Sequence, residues 1–254
     1  MKQTIIIAAH KPYWMPKDTA YLPLLVGAAA QKASTLVWQR DDEGDNISIK
    51  NPTFCELTGH YWLWKNVNSD VYGLCHYRRY FGHIGCGSPH KRILDGAQVA
   101  TLMQDYDLIV PKKRHYWIET NFSQYVHAHH IRDLVVTREI LCEQHPEYLS
   151  DWDVVMARRS GHRFNMFIMR RRPFEEYSEW LFGILFELEK RLDISGYTCR
   201  DKRVFGYVAE RLLDVWLNHQ SFRIRECSVI HLESQHWLRK CSMFLGRKLR
   251  PVKC

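Results

Sequence analysis

Several patterns that would fix a function quickly are missing from this sequence. Its eight cysteines (Cys55, Cys75, Cys86, Cys142, Cys199, Cys227, Cys241 and Cys254) contain no CxxC pair. That spacing argues against a zinc ribbon and against a thioredoxin-like redox site. Scattered thiols, with Cys75 inside the apolar run Val71–Cys75, read as free cysteines in a reducing cytosol. No apolar run approaches the ~20 residues that a membrane-spanning helix needs. Met1 to Ala9 holds one lysine and a short apolar run that passes directly into His10-Lys11-Pro12. A secretory leader needs more than that, so the segment is expected to be a first strand. There is no HExxH and no RNA-binding signature. The basic residues are spread along the chain rather than gathered on one helix, so nucleic acid is not an expected partner.

What is present is the composition of an ordinary globular protein: 254 residues, 46% hydrophobic and 25% charged. The length suffices for a full core in one large domain or two tightly joined lobes. Nine tryptophans bring aromatic surface that fills cores more often than it stacks on sugars. The net charge of +8 calls for an anionic partner, either a phosphorylated ligand, nucleic acid or a membrane surface.

Along the chain, Thr4–Ala9, Val71–Cys75, Leu108–Val110, Phe164–Met169 and Ile224–Ile230 read as strands. Tyr21–Ala30, Phe54–Asn66, Ala97–Gln104, Ile131–Glu143, Pro173–Leu192 and Asp201–Leu217 read as helices. This alternation predicts an α/β fold with a mostly parallel central sheet flanked by helices. Ligands of such sheets sit beyond the carboxyl ends of the strands. The residues that follow the strands are His10-Lys11, His76–Arg79, Lys112–Arg114 and Arg170–Arg172, and every set is basic. A crevice that holds a diphosphate would explain the coincidence; solvated loop charges would also produce it.

Four constellations offer chemistry. In Val71-Tyr72-Gly73-Leu74-Cys75-His76-Tyr77-Arg78-Arg79-Tyr80-Phe81, two arginines after a buried strand suit paired bonds to phosphate oxygens. His76 can exchange a proton near neutral pH. In Tyr125-Val126-His127-Ala128-His129-His130, followed by Asp133, the histidines match no well-known zinc spacing and suit sugar hydroxyls or packed core positions better. On the helix near Arg203–Leu217, Val204, Val208, Leu212 and Val215 form the buried stripe. Arg203, Glu210 and Asp214 lie opposite them, as a base-bearing face or as a solvated salt-bridged one. Asp105-Tyr106-Asp107 looks like a metal-binding DxD, but it precedes a strand instead of following one. Cationic side chains can neutralise a leaving diphosphate without a metal, and a divalent ion held by other residues stays open.

The motifs taken together resemble one family. They are Asn46–Thr58, Tyr61–Asn66, Gly73–Phe81, His10-Lys11-Pro12-Tyr13, Gly161–Met169 and Phe205–Leu217. The family is the bacterial capsular and exopolysaccharide biosynthesis family, long called a domain of unknown function, whose characterised members are galactofuranosyltransferases. The resemblance runs from Ile5 to Leu238. It implies a GT-A-like domain, a UDP-galactofuranose donor, inversion to a β-linkage and a lipid-linked glycan acceptor. Beside it, the residues read as Glu210 for the catalytic base, with His76 as a second catalytic candidate that the resemblance also puts on the donor side. His10, Lys11, Arg78, Arg79, His162 and Asn165 fall on the donor side, and Tyr125, His127 and His130 on the acceptor side. Asn165 is similar to the sugar-facing Asn of GT-A enzymes.

The expected organisation is a catalytic domain over residues 1–236 and a basic amphipathic tail over 237–254. The tail would lie on an anionic membrane surface or stay solvated. The protein is expected in the cytoplasm, peripheral on the inner face of the cell membrane. A second copy or a partner transferase is left open. The alternatives are a UDP-pyranose donor with the same fold, a catalytically idle carbohydrate-binding relative, and a nucleic-acid-binding protein.

Overall fold

The computed structural model describes residues 1–31 and 36–233. Strand β1 (Gln3–Ala9) is apolar from Ile5 to Ala9 because both of its faces are covered. Ile5, Ile7 and Ala9 enter one core cluster, and Ile6 and Ala8 enter the other. β1 pairs in parallel with β2 (Tyr21–Leu25), to which β3 (Gln39–Arg40) adds. On its other side it pairs in parallel with β4 (Val71–His76).

Beyond β4 the arrangement departs from the mostly parallel, GT-A-like sheet that the sequence suggested. β4 turns through Tyr77-Arg78 into the antiparallel β5 (Arg79–Gly82), with His76 opposite Arg79. Two linking residues leave no room for a crossover helix. The remaining members are β6 (Leu108–Pro111), β9 (Phe167–Arg170) and β10 (Ile224–His231). β5 pairs with β10, β10 with β6, β6 with β9, and β9 returns to β4. These five strands close into a barrel in which only the β10–β6 pairing is parallel. The strand–helix alternation was legible, but it does not reveal that β5 and β9 run against their neighbours. A separate short ribbon joins β7 (Arg114–His115) to β8 (Ser160–Gly161).

Two helix expectations also change. Tyr21–Ala30 is not a helix: its first half is β2, drawn into the sheet by β1, and only Ala28–Ala30 makes a helical turn. Between them Gly27 takes φ +66°, and its N–H and that of Ala28 donate to the buried Asp41 carboxylate at 2.9 and 3.0 Å. The expected Phe54–Asn66 helix is split into α1 (Asn51–Phe54) and α2 (Leu57–Asn66) by Cys55 at φ +55°.

The other helices are α3 (Gly96–Asp105), α4 (Asn121–Val126), α5 (Ile131–Gln144), α6 (Leu149–Ala157), α7 (Arg171–Arg191) and α8 (Val204–His219). Helices α5 and α6 pack on α7 and α8. α8 buries Val204, Val208, Leu212 and Val215 as its spacing predicts. Each such fully buried aliphatic side chain contributes roughly 1.5–3 kcal/mol. The opposite face of α8 is not solvated, because the 161–165 loop lies over Glu210 and Asp214. No helix among the described residues is long and apolar enough to cross a membrane. The expected tail, 237–254, lies outside the described residues.

Candidate functional site

A cavity of about 480 Å³ opens beyond the carboxyl ends of β1 and β4, where Ala8, His10 and His76 reach its wall. The β4–β5 hairpin adds Tyr77, Arg78 and Arg79, the α1–α2 junction adds Cys55 and Glu56, and α8 adds Tyr207 and Glu210 from one side, with Arg203 just before it. Parallel strands place their following loops at one end of a sheet, which is why residues far apart in sequence converge here.

Much of the lining is basic. Arg78 lies 4.8 Å over the Tyr77 ring and pairs with Glu233 at 2.9 Å. Lys11 stands 5.8 Å over the same ring and is exposed at the rim. Arg79 lies 4.5 Å over Phe164, and its buried Nε has no hydrogen-bond partner among the described residues. Burial and the neighbouring Arg78 lower the Arg79 pKa. Burial also lowers that of His10, helped by Lys11, Arg78 and Arg203. Arg203 donates from Nε to Cys55 Sγ at 3.0 Å, and burial pushes the Cys55 thiol up to about 12.

The same lining carries two carboxylates in different states. Glu210 is saturated. Oε1 accepts the Phe164 N–H at 2.9 Å, and Oε2 accepts from Arg211 at 2.9 Å and Arg163 at 3.3 Å. Burial alone would raise its pKa, but Arg163, Arg211 and the Phe164 N–H outweigh burial and hold it below the ordinary carboxylate value. Glu56 is less committed: Oε1 accepts from Asn165 Nδ2 at 2.8 Å, and Oε2 has no hydrogen-bond partner among the described residues.

Phe164 and Asn165 form the pivot between these groups. Both take left-handed backbone angles, φ +79° and +51°. For a bulky residue such as Phe164 this costs about 1–2 kcal/mol. The strain is held by contacts on both sides. His76 Nε2 donates to the Phe164 carbonyl at 2.6 Å, which assigns the ring proton to Nε2. Asn165 Nδ2 bonds Gly206 O at 3.0 Å as well as Glu56. Burial is the main cause that lowers the His76 pKa; Glu56 opposes it and Arg79 adds to it.

The structure thus brings together His10, His76, Arg78, Arg79 and Glu210, with Lys11 at the rim and Asn165 one bond behind Glu56. Other expected residues lie elsewhere. His162 lines a separate cavity of about 430 Å³. Its Nδ1 meets Asp214 at 2.5 Å and its Nε2 meets Glu226 at 3.3 Å. Tyr125 is fully buried and donates to Asp133 at 2.7 Å. His127 meets Glu119 at 2.7 Å, and His130 stacks on Tyr197 at 3.9 Å. Arg170–Arg172 follow an antiparallel strand and emerge at the far end of the sheet, where Arg171 bonds Asn68 and Arg172 bonds Glu176. Asp107 is at that end too, bonded to Arg223. Among the described residues no three His, Cys, Asp or Glu side chains are grouped to hold a metal ion.

Sequence reasoning missed Glu56 as a site residue and missed the support under Glu210. Arg211 and Arg163 both reach Gln124 Oε1 on α4, at 2.6 and 3.3 Å, behind the carboxylate. No local sequence signal marks Glu56: its position follows from the α1–α2 break after Cys55 at φ +55°, which the helical spacing of Phe54–Asn66 conceals.

A family model described as a domain of unknown function (DUF4422) matches residues 4–221. Among solved structures, the apo structure of the WbbM bifunctional glycosyltransferase matches at 30% sequence identity with a TM-score of 0.85. That match covers 92% of this chain and 46% of the WbbM chain, so this chain spans about half the length of that protein. No curated protein matches the chain.

Proposed function

This chain belongs to the DUF4422 family, and we propose that it transfers a sugar from a nucleoside-diphosphate donor to a glycan hydroxyl. The observation that carries the proposal is a single cavity lined by both guanidinium groups and carboxylates. The cations Arg78, Arg79 and Arg203 line it beside His10, and so do the carboxylates Glu56 and Glu210. The similarity to WbbM supports the same reaction class. The donor in this reading is UDP-galactofuranose and the acceptor is a lipid-linked glycan used in surface polysaccharide synthesis. The sequence motifs support those two choices.

The reaction is an inverting displacement. The acceptor oxygen forms a bond to the anomeric carbon as the carbon–oxygen bond to the β-phosphate breaks, and UDP leaves with that electron pair. Its growing charge meets Arg78, Arg79 and Arg203. The acceptor proton passes to a carboxylate. Glu56 suits this role because Oε2 is uncommitted and Asn165 fixes the group through Oε1. Glu210, bonded at both oxygens and held low in pKa, suits a positioning role better than that of the base. His76 is a positioning residue that fixes Phe164 through its Nε2–H.

The test is turnover with UDP-galactofuranose and UDP-galactopyranose on a synthetic galactoside, with and without EDTA. Transfer from the furanose donor alone supports the full reading, and activity that survives EDTA supports a cationic leaving-group site. Transfer from the pyranose donor keeps the reaction and changes its specificity. If neither donor nor UDP binds, the transferase reading fails.

A further inference from the structure

The turn between β7 and α4 has a composition that neither the cavity nor the core uses. Trp117 is 84% exposed, Ile118 59% and Phe122 39%. Among the described residues, no other stretch this short exposes more than one large apolar side chain. The same turn is flanked by exposed cations: Arg114 and Arg159, with Lys112 and Lys113 preceding it in the chain and Lys113 3.7 Å from Glu226. The only acid from residue 112 to 122 is Glu119, which is buried against His127.

The exposure is built rather than incidental. Ile118 N–H donates to Tyr116 O at 2.7 Å, which makes a three-residue γ-turn centred on Trp117 at φ +61°. A large residue in the left-handed region is strained, so this conformation persists only where its surroundings impose it. The frame is rigid on both sides. Tyr116 N–H donates to Arg159 O at 2.8 Å, and Thr120 caps α4 in a reciprocal box with Ser123. The fold holds an indole outward at some cost to itself, with an isoleucine beside it and exposed cations flanking it. Indole at an apex and lysine or arginine around it match the boundary between acyl chains and anionic headgroups.

We propose that Lys112–Phe122 is a bilayer-contacting turn that docks this protein on an anionic lipid surface. Trp117 and Ile118 enter the headgroup–acyl boundary, and Arg114 and Arg159, with Lys112 before them, meet the headgroup phosphates. The inference does not depend on the transfer chemistry proposed above. It adds a geometric link to it, because the Tyr116 ring lies 4.8 Å beneath Arg163, which in turn holds Glu210. A bilayer at this turn is therefore two side chains away from the cavity wall.

The experiment is co-sedimentation of the full chain with phosphatidylcholine vesicles, with and without phosphatidylglycerol. Wild-type protein is expected on the anionic vesicles. Trp117→Ser with Ile118→Ser should lower partitioning by roughly tenfold or more. Arg114→Glu with Arg159→Glu should lower it by at least roughly fivefold per cation, and only on the anionic vesicles. Trp117→Asn guards against a folding artefact. Asparagine tolerates the left-handed turn, so its thermal midpoint should equal or exceed that of the wild type while vesicle binding falls. Brominated lipid should also quench wild-type fluorescence more than that of Trp117→Phe, because only the former has an indole at the apex. Wild-type protein that ignores anionic vesicles, a serine pair that partitions like the wild type, or equal quenching of wild type and Trp117→Phe would each overturn the proposal.

Discussion

The backbone of one residue, Phe164, ties His76 to Glu210: its carbonyl accepts from His76 Nε2 at 2.6 Å and its N–H donates to Glu210 Oε1 at 2.9 Å. The carboxylate therefore sets the conformation of the loop that faces the cavity, and the ring fixes the same loop from the strand side. This arrangement separates the roles of the two acids in the wall.

Glu56→Gln should lower kcat by about 10²- to 10⁴-fold, the range for loss of a general base, while UDP affinity stays near that of the wild type. Glu210→Gln should reduce activity together with stability. It leaves the buried Arg163 and Arg211 without their anion, a change that costs about 3 kcal/mol or more. Single-turnover kinetics beside thermal melts distinguish the two. A Glu56→Gln enzyme with undiminished turnover would return the base assignment to Glu210.

Arg79→Ala should weaken UDP binding by roughly tenfold to a hundredfold, the equivalent of about 1.5–3 kcal/mol for a charge-assisted bond. Folding stability should fall by about 0.5–2 kcal/mol, through the lost contact over Phe164, since Arg79 Nε has no hydrogen-bond partner to lose among the described residues. Titration calorimetry with UDP reads the effect, and an unchanged affinity would remove Arg79 from the donor site.

Acid should destabilise the fold before most carboxylates titrate. Burial lowers the pKa of His60 and of His129 from 6.5 to about 3 each. The unfolded chain therefore binds more protons than the folded one between those values. Stability is full above pH 6.5 and falls with acid at about 1.4 kcal/mol per pH unit per histidine down to pH 3. Denaturant melts from pH 7.5 to 4.5 check this. His60→Gln should flatten the slope by about one histidine's share; a slope equal to that of the wild type would contradict the account.

Gly161→Ala should destabilise the 161–165 loop. A Cβ there would lie 2.6 Å from Asp214 Oδ2 and 3.0 Å from Asn121 Oδ1. Asp214 also accepts the His162 N–H at 2.9 Å, so displacing it disturbs the backbone that leads to Phe164. An overpacking cost of about 1–3 kcal/mol is expected in chemical denaturation, with a matching loss of activity. A variant as stable and as active as the wild type would show that the loop relaxes freely.

Much of this was legible in the sequence. The buried runs of β1, β4 and β6 and the stripe of α8 are local signals, and the basic residues after β1 and β4 do meet at one cavity. Strand direction was not legible. Phe167–Met169 has the same apolar composition whether it runs with β4 or against it, and only the register Leu74 opposite Phe167 decides where Arg170 emerges. Tyr21–Leu25 failed for a related reason, since pairing with β1 overrides its local preference. The His127 and His130 cluster looked chemical because clustered imidazoles often are. Here the carboxylate of Glu119 and the ring of Tyr197 occupy them.

The barrel is sealed by its last strand. β10 lies between β5 and β6, which precede it by more than a hundred residues. A nascent chain that has not yet made residues 224–231 must carry both of those strands with open hydrogen-bonding edges. Such edges invite pairing with other chains. Synthesis that stalls in α8 would thus leave a sticky intermediate in need of a chaperone, and the eight residues of β10 act as the clasp that ends that exposure.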